Sequence, residues 1–320
     1  MITHTQLEYL VAVDRHGSFS EAAARCFVTQ PTLSMQIQKI EAELGVSLFD
    51  RGRKPVRATT LGLAVIDRAY RTLRELKGLS ELVREQREMA SGELRVGIIP
   101  TLGPYLLPRF VPDLLTSHQQ VRLTIQELLT ADIVEGLRKD LLDVGIAATP
   151  LEEKGLRETP LFREPFYALV AAGHRLAEKK KLSVVEFAAD EMMLLDSGHC
   201  LREQVSRICI GSLNKGDHQS VRLRFVGGSL EGLIRIVESG YGVTLLPELA
   251  AMTLAEGSRG LLHSLEAPVP AREVSIITHG EGVKTRLLEI LKQSILNGLP
   301  DGLKDTDSGQ TIRIIGAGKA

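Results

Sequence analysis

Two cysteines nine positions apart are the residues of this sequence with the most distinctive chemistry. Residues 197–210 read SGHCLREQVSRICI, with Cys200 near the start and Cys209 near the end. His199 and Arg202 beside Cys200 predict a positive potential that favours the thiolate, the reactive form of the side chain. Cys209 lies among apolar residues and has no such neighbour. The pair fits a nucleophilic thiol and a resolving partner, although two small buried apolar residues would give the same spacing.

The segment that carries both cysteines is predicted to be one helix. The signals are an apolar stripe, an N-cap and a terminating glycine, namely Leu201, Val205 and Ile208, then Ser197, then Gly211. A helical rise of 1.5 Å per residue separates the Cα atoms of Cys200 and Cys209 by about 13.5 Å, whereas a disulfide needs roughly 4.4–6.8 Å. The two thiols therefore cannot join while this helix is intact. Residues 211–224 are rich in Gly and Ser, so we expect the segment after Cys209 to unravel at modest cost and let a disulfide form.

Length and composition limit the class of protein. The chain has 320 residues, with 39 Lys and Arg, 40 Asp and Glu, a net charge of -1 and three Cys. This length predicts two or three compact units. Few cysteines, no secretory leader and no apolar run of about 18 residues predict a cytoplasmic protein with reduced thiols and no membrane partner. Cys26 is predicted to be structural, and the scattered histidines lack the spacing of metal ligands, so neither a metal nor a cofactor is expected.

The first 45 residues are predicted to form three short helices separated by tight breaks. Ser20 is predicted to cap the second helix and Thr29 the third, while Pro31 fits a first turn and Gly45 a helix end. In the third helix one apolar stripe must face the core, and it consists of Leu33, Ile37, Ile40 and Leu44. The opposite face can then enter the major groove of DNA, and it carries Pro31, Ser34, Met35 and Gln38. An ordinary solvated helix in a small bundle is the alternative.

A short basic segment follows these helices. It reads LFDRGRKPVRATTLG over residues 48–62 and is broken by Gly52 and Pro55, which fits a wing hairpin along the phosphate backbone. Residues 51–74 contain one acidic residue and seven basic ones, which are Arg51, Arg53, Lys54, Arg57, Arg68, Arg71 and Arg74. Local positive charge is what phosphate contacts require, even in a nearly neutral chain. Helix and wing together favour double-stranded DNA as the partner.

From residue 60 to about residue 89 the pattern is that of one long helix. Its apolar seam has heptad spacing, at Ile66, Ala69, Leu73, Leu76, Ser80 and Val83. Such a seam needs a partner helix. A dimerisation helix that carries two DNA-reading heads fits the preceding unit better than an intramolecular partner.

After residue 91 the pattern changes to strands that alternate with helices. The strands ELRVGIIP, VRLTIQEL and LDVGIAAT are separated by helical stretches at 106–115 and 133–142, which predicts a mainly parallel sheet. Further strands are predicted in FYALVAAG, EMMLLD, LRFVG, GVTLLP and EVSIITHG, followed by a helix near 287–296. The fold class is therefore multidomain α+β or α/β. Residues 299–320, rich in Gly and Asp, predict a disordered tail.

The amino-terminal pattern resembles the LysR-type transcriptional regulators. The likeness runs from QLEYLVAVDRHGSFSEAAARCFVTQPTLSMQIQKIEAELGVSLFDR to TTLG and continues into the linker helix. It implies a winged helix-turn-helix over 1–60, a linker helix over 61–90 and a two-lobed domain like that of periplasmic binding proteins over 91–298. Lobe I would comprise 91–163 and 270–298, lobe II would comprise 164–269, and the chain would cross between them near 163–166 and 268–272. The residues expected at DNA are Gln30, Pro31, Thr32, Ser34, Met35, Gln38, Arg51 and Arg53.

Within this family the carboxy-terminal part resembles the members that sense hydrogen peroxide. The likeness lies in IIPTLGPYLLP, in LLDSGHCLREQ with a second cysteine nine residues on, and in GYGVTLLP. It implies that Cys200 is the peroxidatic thiol and Cys209 the resolving one, with a pocket lined by Thr101, Thr130, His199 and Arg272. It also implies a homotetramer built as a dimer of dimers at the bacterial nucleoid. Its partners would be RNA polymerase and a glutaredoxin or thioredoxin as reductant, and its targets antioxidant genes.

Two other functions fit the same patterns. A LysR-type regulator could bind a small organic effector in the cleft, with incidental cysteines. A thiol peroxidase could turn over with a thioredoxin-type reductant, although a helix-turn-helix has no use in such an enzyme.

Overall fold

The computed structural model describes residues 1–85, 91–187, 192–209, 228–280, 284–304 and 312–314. A helical unit with one small hairpin occupies residues 1–85, and an α/β unit follows it. The helices are α1 (His4–His16), α2 (Phe19–Arg25), α3 (Gln30–Leu44), α4 (Thr60–Glu85), α5 (Gly103–Ser117), α6 (Thr130–Arg138), α7 (Cys200–Ile208), α8 (Leu230–Glu238), α9 (Glu248–Ala251), α10 (Thr285–Gly298) and α11 (Asp301–Lys304). The strands are β1 (Phe49–Asp50), β2 (Arg57–Ala58), β3 (Gly92–Ile98), β4 (Val121–Glu127), β5 (Val144–Thr149), β6 (Leu156–Val170), β7 (Lys181–Leu182), β8 (Val243–Pro247), β9 (Leu262–Leu265), β10 (Val269–His279) and β11 (Ile312–Ile314).

Side-chain caps define where the first three helices begin. The hydroxyl of Ser18 accepts the backbone N–H of Glu21, so α2 starts at Phe19 and the predicted cap at Ser20 is wrong. Ser18 is the residue with extended backbone, as an N-cap requires, whereas Ser20 already lies inside the helix. Thr29 caps α3, a proline lies in its first turn, and Gly45 ends it in the left-handed conformation, as predicted.

The apolar stripe of α3 forms the centre of the amino-terminal core. Leu33, Ile37 and Ile40 are completely buried, and each contributes about 1.5–3 kcal/mol through the apolar surface that it removes from water. Leu44 is 40% exposed, so it does not belong to the buried stripe as predicted. It lies in the last turn, beyond the helices that cover the other three positions.

The predicted wing is a two-stranded antiparallel hairpin. Strand β1 pairs with β2, Phe49 opposite Ala58 and Asp50 opposite Arg57. Phe49 packs its ring edge against Phe19, with ring centroids 5.9 Å apart, so the wing is anchored to the helical core.

The first half of α4 belongs to the same core. Ile66, Ala69 and Leu73 are buried in the cluster that α1 and α3 build, so these three positions of the predicted seam already have an intramolecular partner. Leu76 and Leu79 further along α4 are 44% and 68% exposed. The side chains at 80–85, including the predicted seam positions Ser80 and Val83, lie outside what the structure describes.

The large sheet of the α/β unit has nine strands, in the order β4-β3-β5-β10-β6-β9-β7, with β11 beside β10 and β8 beside β6. The triplet β4-β3-β5 is parallel, as predicted. Both long strands β6 and β10 are antiparallel to their main neighbours, so the expectation of a mainly parallel sheet holds only for this first triplet. The predicted strand at 191–196 contributes only a bridge between Met192 and Val243, and the one at 223–227 lies outside the described residues.

Two long strands divide this unit into two lobes. Strand β6 pairs with β10 as far as Pro165 and with β8 from Phe166 onward, so its pairing partner changes between these two residues. The chain returns in β10, where Ala271 lies opposite Pro165. The side chains on these two strands can therefore contact both lobes.

The carboxy-terminal segment differs from the predicted disordered tail in its described parts. Leu299 and Leu303 are each 3% exposed and join the main core, and Ile312–Ile314 pairs in parallel with Val269–Ala271. Buried apolar side chains hold residues 299–304, and strand pairing holds 312–314. None of the helices in the described ranges combines the length and apolar character needed to cross a bilayer.

Candidate redox site and DNA interface

Cys200 lies at the first position of α7. Its N-cap is His199 and not the predicted Ser197, whose backbone N–H and hydroxyl instead donate to the Asp196 carboxylate. The apolar stripe of α7 is buried as predicted, and Cys200 itself is only 6% exposed. The thiol therefore meets the chain interior and not bulk solvent.

Two threonines lie near Cys200 at the ends of neighbouring parallel strands. Thr101 lies in the turn after β3, and Thr130 is the first residue of α6, after β4. The carboxyl ends of parallel strands share one edge of the sheet, which is the usual place of a ligand site in an α/β fold. Both hydroxyls act to lower the pKa of Cys200, and the buried Thr130 Oγ1 has no hydrogen-bond partner among the described residues. Their assignment to a peroxide pocket stays a prediction.

Arg272 on β10 supplies the positive charge of this site. Its Nη1 and Nη2 donate to the side-chain oxygen and the carbonyl of Thr101, at 3.1 and 3.2 Å. Because the Thr101 hydroxyl accepts from Arg272, its own proton is available for the sulfur. Arg272 is completely buried, so its charge acts in a medium that screens little.

Glu164 balances the buried charge of Arg272, and the sequence analysis missed it. One carboxylate oxygen accepts from Nε of Arg272 at 2.8 Å, and the other accepts the backbone N–H of Leu249 at 2.7 Å. Glu164 is also completely buried. The only signal in the sequence is a carboxylate before a proline at the start of an apolar run, in REPFYALV. Glu164 thus joins the arginine beside Cys200 to the second lobe.

The pKa of Cys200 reflects opposing contributions. Burial raises this pKa, while Arg272, the hydroxyls of Thr130 and Thr101 and the backbone N–H of Leu201 act in the lowering direction, and burial prevails. Of the sequence neighbours, the Leu201 N–H at the start of the helix does favour the thiolate, but burial outweighs it and keeps the pKa of Cys200 above its ordinary value. Burial also lowers the pKa of His199, which leaves that imidazole neutral at pH 7. Arg202 donates to the carbonyl of Leu195 at 2.7 Å, which ties its guanidinium to the segment before the helix.

Cys209 lies at the other end of the same helix, as predicted. It is the C-cap of α7, and its backbone N–H donates to the carbonyl of Val205 at 3.0 Å. It is 1% exposed, and burial raises its pKa to about 12. Both cysteines are free thiols, and the predicted unravelling segment 211–224 lies outside the described residues.

The cleft beside Cys200 is walled on one side by α4 of the helical unit. It has a volume of about 630 Å³ and is lined by Cys200, Thr130 and Arg138 of the α/β unit and by Leu63, Asp67 and Tyr70 of α4. The sulfur is thus reached from the interface between the two units. This arrangement could not be inferred from either unit alone.

One aspartate holds the two units together at this interface. The Asp140 carboxylate lies 2.9 Å from Lys77 Nζ, 3.7 Å from Arg15 Nη2 and 3.9 Å from Arg74 Nε. Arg15 also donates to the carbonyl of Lys139 at 2.6 Å. Three cations of the helical unit therefore meet one carboxylate of the α/β unit.

The predicted DNA-contact residues lie on one exposed surface. Ser34 is half-buried and the others of α3 are exposed, namely Gln30, Pro31, Thr32, Met35 and Gln38. Arg51 pairs with Glu41 at 2.8 Å and donates to the Ser34 hydroxyl at 3.3 Å, which ties the wing to α3. Arg53 pairs with Asp50 at 3.1 Å. Glu41 of α3 thus orients Arg51, and Asp50 of β1 orients Arg53.

Two family models match the chain in the order of its units. Residues 4–63 match the bacterial regulatory helix-turn-helix protein of the LysR family, and residues 87–299 match the LysR substrate binding domain. Together they cover the DNA-reading unit and the two-lobed unit. The class defined by fold and site is that of LysR-type transcriptional regulators, which bind DNA.

Comparison with individual proteins places the chain in a smaller group within this class. The chain is 36% identical to a hydrogen peroxide-inducible genes activator of Haemophilus influenzae, over 92% of this chain and 98% of that protein. It is also 36% identical to the DNA-binding transcriptional dual regulator OxyR of Escherichia coli K12, over 85% and 87%. The solved structure of a full-length OxyR variant from Pseudomonas aeruginosa superimposes with a TM-score of 0.76 at 34% identity, covering 92% of this chain and 95% of that one. The chain belongs to the LysR family and, within it, to the OxyR group of hydrogen peroxide-inducible gene activators.

Proposed function

We propose that this regulator senses hydrogen peroxide through Cys200, forms a reversible Cys200–Cys209 disulfide and thereby changes its contact with promoters of antioxidant genes. The observation that carries the proposal is the constellation around one buried thiol. Cys200 has two threonine hydroxyls and the guanidinium of Arg272 around its sulfur, in the same chain as a DNA-reading helix. In this proposal residues 1–60 contact DNA, residues 61–90 form the linker and dimerisation helix, and residues 91–298 form the peroxide-sensing domain. The boundaries between lobe I and lobe II lie between residues 163 and 164 and between residues 269 and 270.

The first step is attack of the Cys200 thiolate on one oxygen of the peroxide. A sulfur–oxygen bond forms, the O–O bond breaks, and the departing hydroxide takes up a proton and leaves as water. Sulfur is oxidised to a sulfenic acid, and the peroxide is reduced. The Thr101 and Thr130 hydroxyls orient the peroxide oxygens, and Arg272 stabilises the negative charge that develops on the departing oxygen. His199, which is neutral, offers an imidazole for the proton that is transferred.

The second step joins the two cysteines. The Cys209 sulfur attacks the sulfenic sulfur of Cys200, an S–S bond forms, the S–O bond breaks, and a second water leaves. Helix α7 must open first, because its intact length keeps the two Cα atoms about 13.5 Å apart. Opening also releases the buried apolar stripe of α7, which must find new partners. This is a two-state element biased by one covalent event.

DNA contact follows from the exposed face of α3 and from the wing. Gln30, Thr32, Ser34, Met35 and Gln38 read base edges or position the helix, while Arg51 and Arg53 meet phosphates. Pro31 fits the first turn of this helix, where its missing N–H costs no hydrogen bond. Two such units on one operator require a dimer, and we infer a dimer of dimers that contacts RNA polymerase in the cytoplasm, at the nucleoid.

The thiols react once per signal and do not turn over. A glutaredoxin or thioredoxin reduces the disulfide by thiol exchange, which resets the regulator and does not make it an enzyme. The two steps need no metal and no cofactor, since peroxide is the oxidant and the two thiols supply both electrons.

Footprinting on the duplex upstream of the protein's own gene tests this function. We expect the reduced and the peroxide-treated protein to protect different lengths of DNA. Cys200→Ser should keep the reduced footprint after peroxide, while the matched variant Cys26→Ser should switch like the wild type. A wild-type footprint that ignores peroxide would contradict the proposal and indicate an organic effector. Sustained peroxide consumption with a thioredoxin system would indicate a peroxidase.

A further inference from the structure

The turn between α2 and α3 places a phenylalanine where a helix normally ends in glycine. The backbone N–H of Val28 donates to the carbonyl of Ala23 at 3.0 Å, and the N–H of Phe27 donates to that of Ala24 at 3.3 Å. These two bonds define a Schellman motif with Phe27 at the position that adopts the left-handed conformation. Its φ of 57° is the value that the motif requires.

An aromatic residue is a poor choice for this position. Glycine and asparagine adopt the left-handed region readily, whereas a side chain with a bulky Cβ substituent is strained there. Packing within the chain does not offset the strain, because Phe27 is 96% exposed. The residues on either side do pack, since Cys26 and Val28 both contact the amino-terminal core. The ring of Phe27 thus points away from the core that its neighbours join.

The position of Phe27 indicates what would cover its ring. It lies two residues before Thr29, the N-cap of α3, and therefore directly precedes the helix end that enters the major groove. The exposed residues Gln30 and Pro31 continue the same surface. Phe27, Thr29, Gln30 and Pro31 are thus exposed residues that follow one another closely at the start of the helix expected to contact DNA.

We propose that Phe27 is a DNA-contact residue, whose ring packs on an apolar group at the edge of the major groove. DNA offers two such groups there, the C5-methyl of thymine and the carbon face of deoxyribose. Binding covers the ring and so provides the apolar contact that the free protein lacks. This inference needs only DNA binding by the reduced protein, so it is independent of peroxide sensing.

Two substitutions distinguish the effect of the Phe27 ring on DNA binding from the effect of its backbone strain on stability. Phe27→Asn removes the ring and places a residue that accepts the left-handed conformation, so we expect a higher melting temperature and a weaker affinity for the promoter duplex, by about fivefold. Phe27→Tyr keeps both ring and strain, and we expect wild-type affinity and melting temperature. Both variants are measured in the reduced state, by thermal unfolding and by fluorescence anisotropy on the duplex protected in the footprint.

Replacing thymine by uracil in the protected duplex identifies the group that is contacted. If the ring meets a thymine methyl, the substitution weakens wild-type binding and leaves Phe27→Asn unaffected. If it meets deoxyribose, the Phe27→Asn loss is the same on both duplexes. A promoter affinity of Phe27→Asn equal to that of the wild type would overturn the proposal. This holds even if the variant fails to activate transcription.

Discussion

Glu164 and Arg272 form an ion pair 2.8 Å long in which neither side chain is exposed to solvent. The pair lies where β6 and β10 cross between the lobes, Arg272 opposite Glu164 in the register. Arg272 reaches Thr101 in the first lobe, and Glu164 reaches the backbone N–H of Leu249 in the second. The charge that stabilises the Cys200 thiolate is therefore set by a carboxylate that contacts the other lobe.

Replacing Glu164 should change the titration of Cys200. In Glu164→Gln the positive charge of Arg272 is no longer neutralised, so the thiolate gains stabilisation and the apparent pKa of Cys200 should fall. The same uncompensated buried charge should lower the free energy of unfolding by about 3 kcal/mol. The pH dependence of Cys200 alkylation by iodoacetamide, in a chain that also carries Cys26→Ser and Cys209→Ser, measures the first effect.

A neighbouring carboxylate provides the control for this variant. Glu273 pairs with Arg163 at 3.4 Å on a solvent-exposed face next to Arg272. Glu273→Gln removes the same charge and should leave the alkylation profile unchanged. A profile of Glu164→Gln that equals that of Glu273→Gln would disprove the positioning role of Glu164.

Loosening the interface at Asp140 should expose Cys200. Asp140→Asn removes the charge that meets Arg15, Arg74 and Lys77, and Asn tolerates the left-handed backbone found at this position (φ 54°). Asp140 is 16% exposed and also lies 3.6 Å from Arg95 of its own unit, and the substitution leaves the apolar core of each unit in place, so we expect faster opening and not unfolding. A bulky maleimide should label Cys200 several-fold faster than in the wild type. The rate of Cys200 oxidation by hydrogen peroxide should rise less, because peroxide is small.

The matched variant is Asp113→Asn, which removes an exposed charge on α5 that lines a separate cavity beside α10. The maleimide should label Cys200 of this variant at the wild-type rate. If Asp140→Asn also labels at that rate, the cleft does not limit access to the thiol.

Dimerisation should depend on the exposed leucines of α4. Among the α4 side chains that the structure describes, Leu76 and Leu79 in the second half are 44% and 68% exposed. Leu79→Glu should therefore shift sedimentation toward the monomer and weaken binding to a two-half-site duplex. Leu73→Glu is not an equivalent test, because Leu73 is buried in the amino-terminal core and a charge there would unfold that unit. An unchanged dimer in Leu79→Glu would place the interface elsewhere.

Local patterns in the sequence predicted most of the elements. The cap at Thr29, the end at Gly45, the wing hairpin and the first three parallel strands all depend on residues close together in the chain, and the structure has each of them. The helix with a cysteine at each end was predicted for the same reason.

Long-range packing accounts for what the sequence analysis missed. Heptad spacing along α4 could not distinguish the positions covered by α1 from those left exposed. The pattern around Cys200 indicated only His199 and Arg202 as its cations, and Arg272 was expected there from the family resemblance alone, because β10 brings it to Thr101 from far along the chain. Glu164 and Asp140 were missed because their roles arise only when two lobes or two units meet.

Mass spectrometry of the full chain after one equivalent of hydrogen peroxide tests the central claim most directly. Digestion without reductant should yield a peptide pair joined between Cys200 and Cys209 in the wild type, and none in Cys200→Ser. Cys209→Ser should instead carry a sulfenic acid at Cys200, trapped by dimedone. A wild-type digest without the 200–209 bond, or a Cys200→Ser variant oxidised as fully as the wild type, would contradict this mechanism.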